Sequence, residues 1–143
     1  MTTFSLPHPV TSPPGFRAIP DLIREHALAA PTRRALVECT GDDHRTMNYA
    51  TLDALMDRVA ATLQRDGLQS GDAIAICSTS SIDYAAVFLG ALRAGIVVAP
   101  LAPGSTPDSL ARMLADAGAR LLFTDAAAAE TVGEAGAGKV PHI

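Results

Sequence analysis

Short apolar runs alternate with helical segments between Gly71 and Asp125, and this alternation constrains the fold more than any other feature of the sequence. Short apolar strands that are separated by helices are typical of a parallel sheet with right-handed crossovers. We therefore expect an α/β fold in which a layered parallel sheet is flanked by helices. The predicted neighbouring strands are Ala73–Cys77, Ile96–Ala99 (stopped by Pro100) and Leu121–Thr124.

The two helices between these strands have recognisable boundaries. The first is predicted at Ile82–Arg93 and ends at Gly95, because glycine adopts the left-handed cap conformation at little cost. The second begins at Ser105–Asp108, which supplies a hydroxyl cap, a first-turn proline and an acid near the positive end of the helix dipole. It is predicted to stop at Gly118.

The N-terminal half contains a predicted hairpin between two predicted helices. In the second helix, apolar residues repeat at helical spacing over Leu52–Leu63, with Asn48 as the cap before them and Gly67 after them. Met56 belongs to this apolar stripe and is expected in the core, whereas Asp53 is expected on the solvated side. The preceding elements are a helix at Asp21–Ala30, a strand at Ala35–Cys39, a turn at Thr40–Asp43 and a returning strand at Arg45–Asn48.

Composition divides the chain into three regions. Residues 1–18 are an arm rich in proline, which blocks helix formation, so the arm should be extended. Residues 19–125 form the α/β region, and residues 126–143 form an Ala/Gly-rich tail. Ala126–Glu134 is a candidate for one more, poorly anchored helix. No domain-closing element follows it, and we expect an incomplete domain end.

Composition and charge exclude several classes of protein. The 143 residues are 48% hydrophobic and 18% charged, which is typical of a globular chain. The net charge of -4 and the lack of a basic patch disfavour nucleic-acid binding. The N-terminus lacks the features of a secretion signal, and no apolar run approaches the roughly 18 residues of a membrane span. We therefore expect a cytoplasmic protein with no membrane span.

The cysteines and histidines do not form a predicted reactive site. Cys39 and Cys77 lack metal-binding spacing and are expected as reduced core thiols. The histidines are scattered and are expected on the surface, so we predict no metal ligand and no catalytic residue in this chain. They are His8, His26, His44 and His142.

Two polar loops follow predicted strands, at the place where ligands bind in open parallel sheets. Ser78–Ser81 lies before a helix whose free amides could attract an anion. Ser80 or Ser81 could instead simply cap that helix, and this interpretation is favoured over a phosphate contact. Ala102–Thr106 occupies the same place after the next strand, and the same two interpretations apply there.

From about Asp21 to Asp125, the order and spacing of seven segments resemble the N-terminal portion of the adenylate-forming superfamily. This superfamily includes acyl-CoA synthetases, adenylation domains of peptide synthetases and luciferases. The segments are Pro31-Thr-Arg-Arg-Ala-Leu-Val37, Met47-Asn-Tyr-Ala-Thr-Leu-Asp53, Gly67-Leu-Gln-Ser-Gly-Asp-Ala-Ile-Ala-Ile76, Phe88-Leu-Gly-Ala-Leu-Arg-Ala-Gly95, Pro100-Leu-Ala-Pro103, Thr106-Pro-Asp-Ser-Leu110 and Asp116-Ala-Gly-Ala-Arg-Leu-Leu122.

The resemblance implies a parent enzyme that uses ATP, Mg²⁺ and CoA to convert a carboxylic acid into an acyl-CoA, with acyl-AMP as intermediate. Ser105–Ser109 is closer to the CoA ligase version of the family. Gly104 matches a glycine near the CoA nucleotide in some members, and it is the one cofactor-binding residue that the resemblance suggests. The arginines that hold the CoA 3′-phosphate in those members have no counterpart in Ala126–Glu134.

The family's phosphate loop, ribose-binding acid and catalytic lysine have no match in this sequence. We therefore expect a non-catalytic scaffold fragment that binds none of these cofactors tightly and is marginally stable or self-associating. One alternative is an adenylation domain that loads an amino acid or acyl group on a carrier protein. Others are a self-standing flavodoxin-like nucleotide-binding or interaction module, and half of a split enzyme.

Overall fold

The computed structural model describes residues 15–134. The helices are α1 (Ile19–Ala29), α2 (Tyr49–Arg65), α3 (Ile82–Arg93), α4 (Pro107–Ala117) and α5 (Ala129–Glu134). The strands are β1 (Arg34–Thr40), β2 (Asp43–Asn48), β3 (Ala73–Cys77), β4 (Val97–Leu101) and β5 (Ala119–Thr124). Most of the predicted N-terminal arm, the end of the tail, His8 and His142 lie outside the described residues.

The predicted parallel sheet is confirmed, with the order β4-β3-β5. Ala75 in the central strand pairs with Ala99 on one side and with Leu122 on the other, in parallel on both sides. The predicted end of β4 is wrong, because the strand continues through Pro100 to Leu101. Proline is tolerated there because, among residues 15–134, β4 lies at the edge of the sheet, where one row of amides has no ladder partner.

Helices cover both faces of this sheet. On one face, α2 and α3 contribute Leu63 and Ala91 to a core with Ile74 of β3 and Leu121 of β5. On the opposite face, the core contains α4 and α5 residues against the other side of the same strands. Its buried members are Ala75, Cys77, Leu101, Leu110, Leu114, Ala119, Leu122, Ala128 and Val132. The tail helix is therefore anchored through Ala128 and Val132, contrary to the sequence-based expectation.

α2 and α3 approach each other closely at Gly90. Gly90 lies inside α3 and is buried. A Cβ atom added to it would lie 2.6 Å from Cβ of Val59 and 3.1 Å from the carbonyl oxygen of Met56. Glycine weakens a helix interior, but here its missing side chain allows the two helices to touch.

The hairpin, α1 and the start of α2 form a third cluster. β1 and β2 are antiparallel, as predicted, with Val37 opposite Thr46. Ile23 of α1, Ala86 of α3 and Met56 of α2 are buried together, which confirms the core position predicted for Met56.

A partly buried arginine ties these three helices to one another. Arg93 is 13% exposed and donates to Asp53 Oδ1 (2.6 Å), to Asp57 Oδ1 (2.9 Å) and to the Pro20 carbonyl (3.1 Å). Asp53, 17% exposed, is therefore not on the solvated side as predicted. A buried arginine must be paired to offset its desolvation, and here one guanidinium joins α1, α2 and α3.

Local signals correctly predicted the two ends of α2, whereas α1 spans Ile19–Ala29 rather than the predicted Asp21–Ala30. Asn48 Oδ1 accepts a hydrogen bond from the Thr51 amide (2.8 Å) at the start of α2. At its end, the Gly67 amide donates to Gln64 and the Leu68 amide donates to Leu63, as in a Schellman cap.

The two cysteines lie in different environments. Cys77 is buried in β3, as predicted, and burial raises the pKa of its thiol. Cys39 is exposed on the hairpin, so the prediction of two core thiols is wrong for this residue. Only one side of β1, the strand that contains Cys39, is covered, and the short apolar run in the sequence did not reveal this.

Among residues 15–134, no helix is long and apolar enough to cross a membrane.

Candidate functional site

Three loops emerge together at the carboxyl edge of the parallel sheet. Cys77, the last residue of β3, pairs in register with Leu101 of β4 and Thr124 of β5. The chain segments that follow these residues are therefore neighbours, and they include both polar loops selected from the sequence. Ligands bind at such an edge in open α/β sheets, so it is the candidate site.

Asp125, directly after β5, holds two of these loops together. Its Oδ2 atom accepts hydrogen bonds from the Thr79 amide (2.8 Å), the Thr79 hydroxyl (2.7 Å) and the Ser78 hydroxyl (3.2 Å). Its Oδ1 atom accepts a hydrogen bond from the Ala128 amide (2.8 Å). The carboxylate thus joins the loop after β3 to the loop after β5.

These donors stabilise the ionised form of the carboxylate. The Thr79 amide contributes most, followed by the Thr79 hydroxyl and the Ala128 amide, and together they hold the pKa of Asp125 well below its usual range. The Asp125 side chain is therefore an anion throughout the physiological pH range, and in the fold it acts as a hydrogen-bond acceptor that holds the two loops.

A second set of acidic groups lies at the start of α3. The Ile82 amide donates to Glu38 Oε2 of β1 (2.9 Å), and the Ser81 hydroxyl oxygen caps the helix by accepting from the Tyr84 amide (3.0 Å). Arg45 of β2 forms two hydrogen bonds with Asp83, of 2.7 and 3.1 Å. These hydrogen bonds raise the pKa of Arg45 and lower the pKa of Asp83.

The loop Ser78–Ser81 is therefore a capping and packing segment. The predicted cap is present at Ser81. The amides of Thr79 and Ile82, which a phosphate would need, instead donate to carboxylates of this chain. A phosphate at the same position would also be repelled by these carboxylates, so this geometry disfavours an anion site here.

The loop Ala102–Thr106 is more open. The Ser105 amide donates to the Ala102 carbonyl (3.0 Å), and the Thr106 hydroxyl caps α4 by accepting from the Ser109 amide (3.3 Å). Gly104 is exposed, has no positive φ, and a Cβ atom there would meet nothing within 4 Å. Neither backbone conformation nor internal packing requires glycine at this position.

A cavity of about 240 Å³ lies between α3 and the ends of β3 and β5. It combines apolar walls with the hydroxyl and carboxylate groups described above. The lining residues are Ile76, Ser78, Ser81, Asp83, Tyr84, Val87, Phe123, Thr124 and Asp125. Within the described range, no group of three His, Cys, Asp or Glu residues is arranged to hold a metal ion.

Sequence reasoning missed the groups that organise this edge. Glu38 and Arg45 come from the hairpin, and their positions beside α3 depend on packing between distant segments. The sequence contained a weak indication for Asp125, because it is an acid that directly follows β5, and a hydroxyl-rich loop follows the neighbouring strand β3. The sequence alone does not show that β3 and β5 are neighbours, so it could not predict this contact.

We expect Asp125→Asn to lower the free energy of unfolding by about 1–3 kcal/mol at pH 7, the usual contribution of hydrogen bonds to a charged group. A carboxyl whose pKa is lower when folded stabilises the protein above its unfolded pKa of about 3.9, and this contribution is lost as the pH falls toward the folded pKa. The stability difference between wild type and variant should therefore shrink below about pH 4.

Urea unfolding of both proteins between pH 7 and pH 3 measures this difference. Asp116→Asn, which removes an exposed acid on α4, is the charge-matched control and should change stability little at either pH. A difference that is equally large at pH 3 and pH 7 would show that the charge of Asp125 is not what stabilises the loops.

Comparison with known proteins adds independent observations. The sequence matches the family described as AMP-binding enzyme over residues 23–142. Nonribosomal peptide synthetase 5 of Gibberella zeae is 36% identical over 98 residues, which cover 68% of this chain and 1% of that protein. The long-chain-fatty-acid–CoA ligase FadD13 of Mycobacterium tuberculosis (strain ATCC 25618 / H37Rv) is 28% identical over 111 residues, which cover 78% of this chain and 22% of that ligase.

A similar solved structure is the fatty acyl-adenylate ligase of L. pneumophila in complex with acyl adenylate and pyrophosphate. It aligns with a TM-score of 0.76 and 25% identity, over 87% of this chain and 22% of that one. The N-terminal subdomain of Klebsiella oxytoca NpsA, in complex with 3-hydroxybenzoyl-AMSN, aligns with a TM-score of 0.69 and 31% identity. That match covers 77% of this chain and 27% of the other.

Proposed function

Because the chain belongs to the AMP-binding enzyme family, we propose that the whole protein activates a carboxylic acid with ATP and transfers the acyl group to CoA. The first step joins the carboxylate to the α-phosphate of ATP, giving acyl-AMP and pyrophosphate. In the second step the CoA thiol attacks the acyl carbonyl and AMP leaves. Described residues 15–134 contribute scaffold to this enzyme.

One observation carries the proposal for the first step. The chain aligns over 87% of its length with a fatty acyl-adenylate ligase whose structure holds acyl adenylate and pyrophosphate. These are the two products of acid activation. The chain spans about a fifth of that ligase, so its activity, substrates and partners come to the present protein only as part of this proposal.

The charges at the sheet edge support a scaffold role for this part of the protein. Asp125, Asp83 and Glu38 are acidic, and the neighbouring guanidinium of Arg45 is already bonded to Asp83. The family in general uses ATP and Mg²⁺, but this set of groups does not fit a triphosphate, which requires cations or free amides. We infer that ATP and its metal are held by other parts of the protein.

CoA is the preferred acyl acceptor. Thr106 and Pro107 begin α4 in the manner of the ligase version of the family, and FadD13 is a CoA ligase by name. Gly104 precedes this helix start and leaves open space where a nucleotide could approach the backbone. A carrier protein remains the alternative acceptor, because the chain is also similar to a nonribosomal peptide synthetase.

The two cysteines support a cytoplasmic location for the protein. Cys39 and Cys77 are both free thiols, and free thiols are typical of proteins in a reducing compartment.

We expect the longer protein to form acyl-CoA, and Gly104→Val to raise its KM for CoA about tenfold or more, because β-branched carbons would occupy the open space beside the loop. The rate of ATP–pyrophosphate exchange should not change. Ala126→Val, an exposed position after β5 at the same sheet edge, is the control and should leave the KM unchanged.

Thioester formation with CoA and with a phosphopantetheinyl carrier protein is measured in parallel. Transfer to the carrier alone would overturn the choice of CoA while leaving acid activation intact. Transfer to CoA with an unchanged KM in the Gly104 variant would overturn only the role of Gly104.

A further inference from the structure

The loop Ser78–Ser81 is held near both ends by carboxylates from other elements. Near its start, the Thr79 amide and hydroxyl both donate to Asp125, 46 residues further along the chain. Directly after its end, the Ile82 amide donates to Glu38 Oε2 of β1, 44 residues back along the chain. A hydrogen bond from a backbone amide to a carboxylate is among the stronger hydrogen bonds in proteins. The loop therefore joins two parts of the fold that are distant in the sequence.

The loop is too short to absorb a displacement at one end. Its first fixed point is Cys77, which pairs in register with strands on both sides. Its second is the first turn of α3, where the Ser81 hydroxyl accepts from the Tyr84 amide. Each residue between these points contributes only two soft dihedral angles. A shift of the first turn of α3 must therefore also move Thr79 and the hydrogen bonds that Thr79 makes.

The hairpin holds the start of α3 through a second contact. Arg45 of β2 forms two hydrogen bonds with Asp83, and its Nη1 atom lies 3.8 Å from Glu38 Oε2. One guanidinium thus offsets the repulsion between two neighbouring carboxylates. Glu38 and Arg45 are directly opposite each other in the hairpin, so the first turn of α3 follows the position of the hairpin as a whole.

Asp125 continues this linkage to the opposite face of the sheet. Its Oδ1 atom accepts from the Ala128 amide, at the turn that leads into α5. Ala128 and Val132 of α5 are buried in the core on the α4 face. Leu36 of the hairpin packs instead against the cluster that contains Ala86 of α3. The two carboxylates therefore connect elements on the two faces of the sheet around its carboxyl edge.

We propose that Glu38 and Asp125 act in series as a hydrogen-bonded tether, which couples the position of the hairpin to the position of α5. Glu38 is a positioning residue in this tether, because its bond to Ile82 acts on Asp125 only through the loop between them. The tether crosses the edge of the sheet where ligands bind in open α/β folds. A partner or domain that moved the hairpin would therefore also move the loops after β3 and β5.

Amide hydrogen exchange, followed by NMR in the 143-residue chain, tests the coupling. Glu38→Ala removes the acceptor of the Ile82 amide. We expect the Thr79 and Ala128 amides, which donate to Asp125, to exchange about fivefold faster or more relative to the Ile74 amide. Because that reference amide lies in the central strand β3 and reports global unfolding, a general loss of stability cancels in this ratio.

Two further variants of the hairpin control the result. Glu38→Gln keeps an oxygen acceptor at the same reach and should restore most of the protection at Thr79 and Ala128. Asp43→Ala removes an exposed acid from β2 and should leave both amides unchanged. Unchanged Thr79 and Ala128 exchange in a folded Glu38→Ala protein would overturn the proposal, as would an equal acceleration of the Ile74 amide.

The coupling should also appear in the reverse direction, because a coupling free energy is reciprocal. Asp125→Asn should accelerate exchange of the Ile82 amide, in the same ratio and by a comparable factor. Asp72→Asn alters a carboxylate that accepts from the Gln69 amide at the amino edge of the sheet, and it should leave Ile82 unchanged. Unaltered Ile82 exchange in Asp125→Asn would overturn the proposal by itself, even where Glu38→Ala does not fold.

Discussion

The 143-residue chain is expected to show no acid-dependent exchange of pyrophosphate into ATP, whereas the longer protein of which we propose it forms part should exchange at least about a thousandfold above background. Exchange requires ATP to be held at its adenine and phosphate ends while a carboxylate attacks the α-phosphorus. At the sheet edge described here, Asp125 and Glu38 occupy the amides that could have contacted a phosphate. Charge that accumulates in the transition state would therefore have no support from this surface.

The assay uses labelled pyrophosphate, Mg²⁺ and a panel of fatty, aryl and amino acids. Pyrophosphate exchange by the 143-residue chain would show that the active site lies within these 143 residues, and it would overturn the proposed scaffold role. An extended protein that activates amino acids only would favour the carrier-protein alternative. Inactivity of the extended protein with every acid class would contradict the proposed acid activation.

Gly90→Ala is expected to lower the free energy of unfolding by about 2 kcal/mol or more, because the added methyl group overpacks the crossing of α2 and α3. Helix propensity alone would favour alanine by about 1 kcal/mol, so the sign of the effect identifies its cause. The new atom would be 2.6 Å from Cβ of Val59, which is fixed to the backbone of α2, and 3.1 Å from a backbone carbonyl. Neither neighbour can move away by a rotamer change.

Gly133→Ala in α5 is the matched control, since it makes the same substitution in a helix with nothing within 4 Å of the new atom. It should leave stability unchanged or raise it slightly. Denaturant midpoints of the two variants and the wild type give the comparison. If Gly90→Ala is as stable as Gly133→Ala, the helices separate more easily than their packing indicates.

Elements that are determined by residues close to them in the sequence could be predicted from the sequence. β3 and α3 have the predicted boundaries, and the caps at Asn48, Gly67 and Thr106 follow from local preferences. Each of these signals lies within a few residues of the structure that it specifies, so no knowledge of the tertiary fold is needed to interpret it.

Features that depend on strand order or on packing between distant segments were less accessible. Pro100 was taken as the end of β4, because an edge position that tolerates proline is visible only once the order β4-β3-β5 is known. Asp53 has the spacing of a solvated helix position, but Arg93, from a helix far along the chain, covers it. The bonds from Asp125 to Thr79 likewise span 46 residues.

The strand order also has a consequence for synthesis on the ribosome. β3 is the first strand of the parallel sheet to be translated, yet it is the central one, so it emerges with both of its hydrogen-bonding edges unpaired. β4 covers one edge as soon as it follows, whereas the other edge stays open until β5 has emerged. During that interval the apolar strand Ala73–Cys77 of the nascent chain has one unpaired edge, and an open edge on an apolar strand promotes aggregation. Chaperone demand should therefore be greatest for nascent chains that end between β4 and β5.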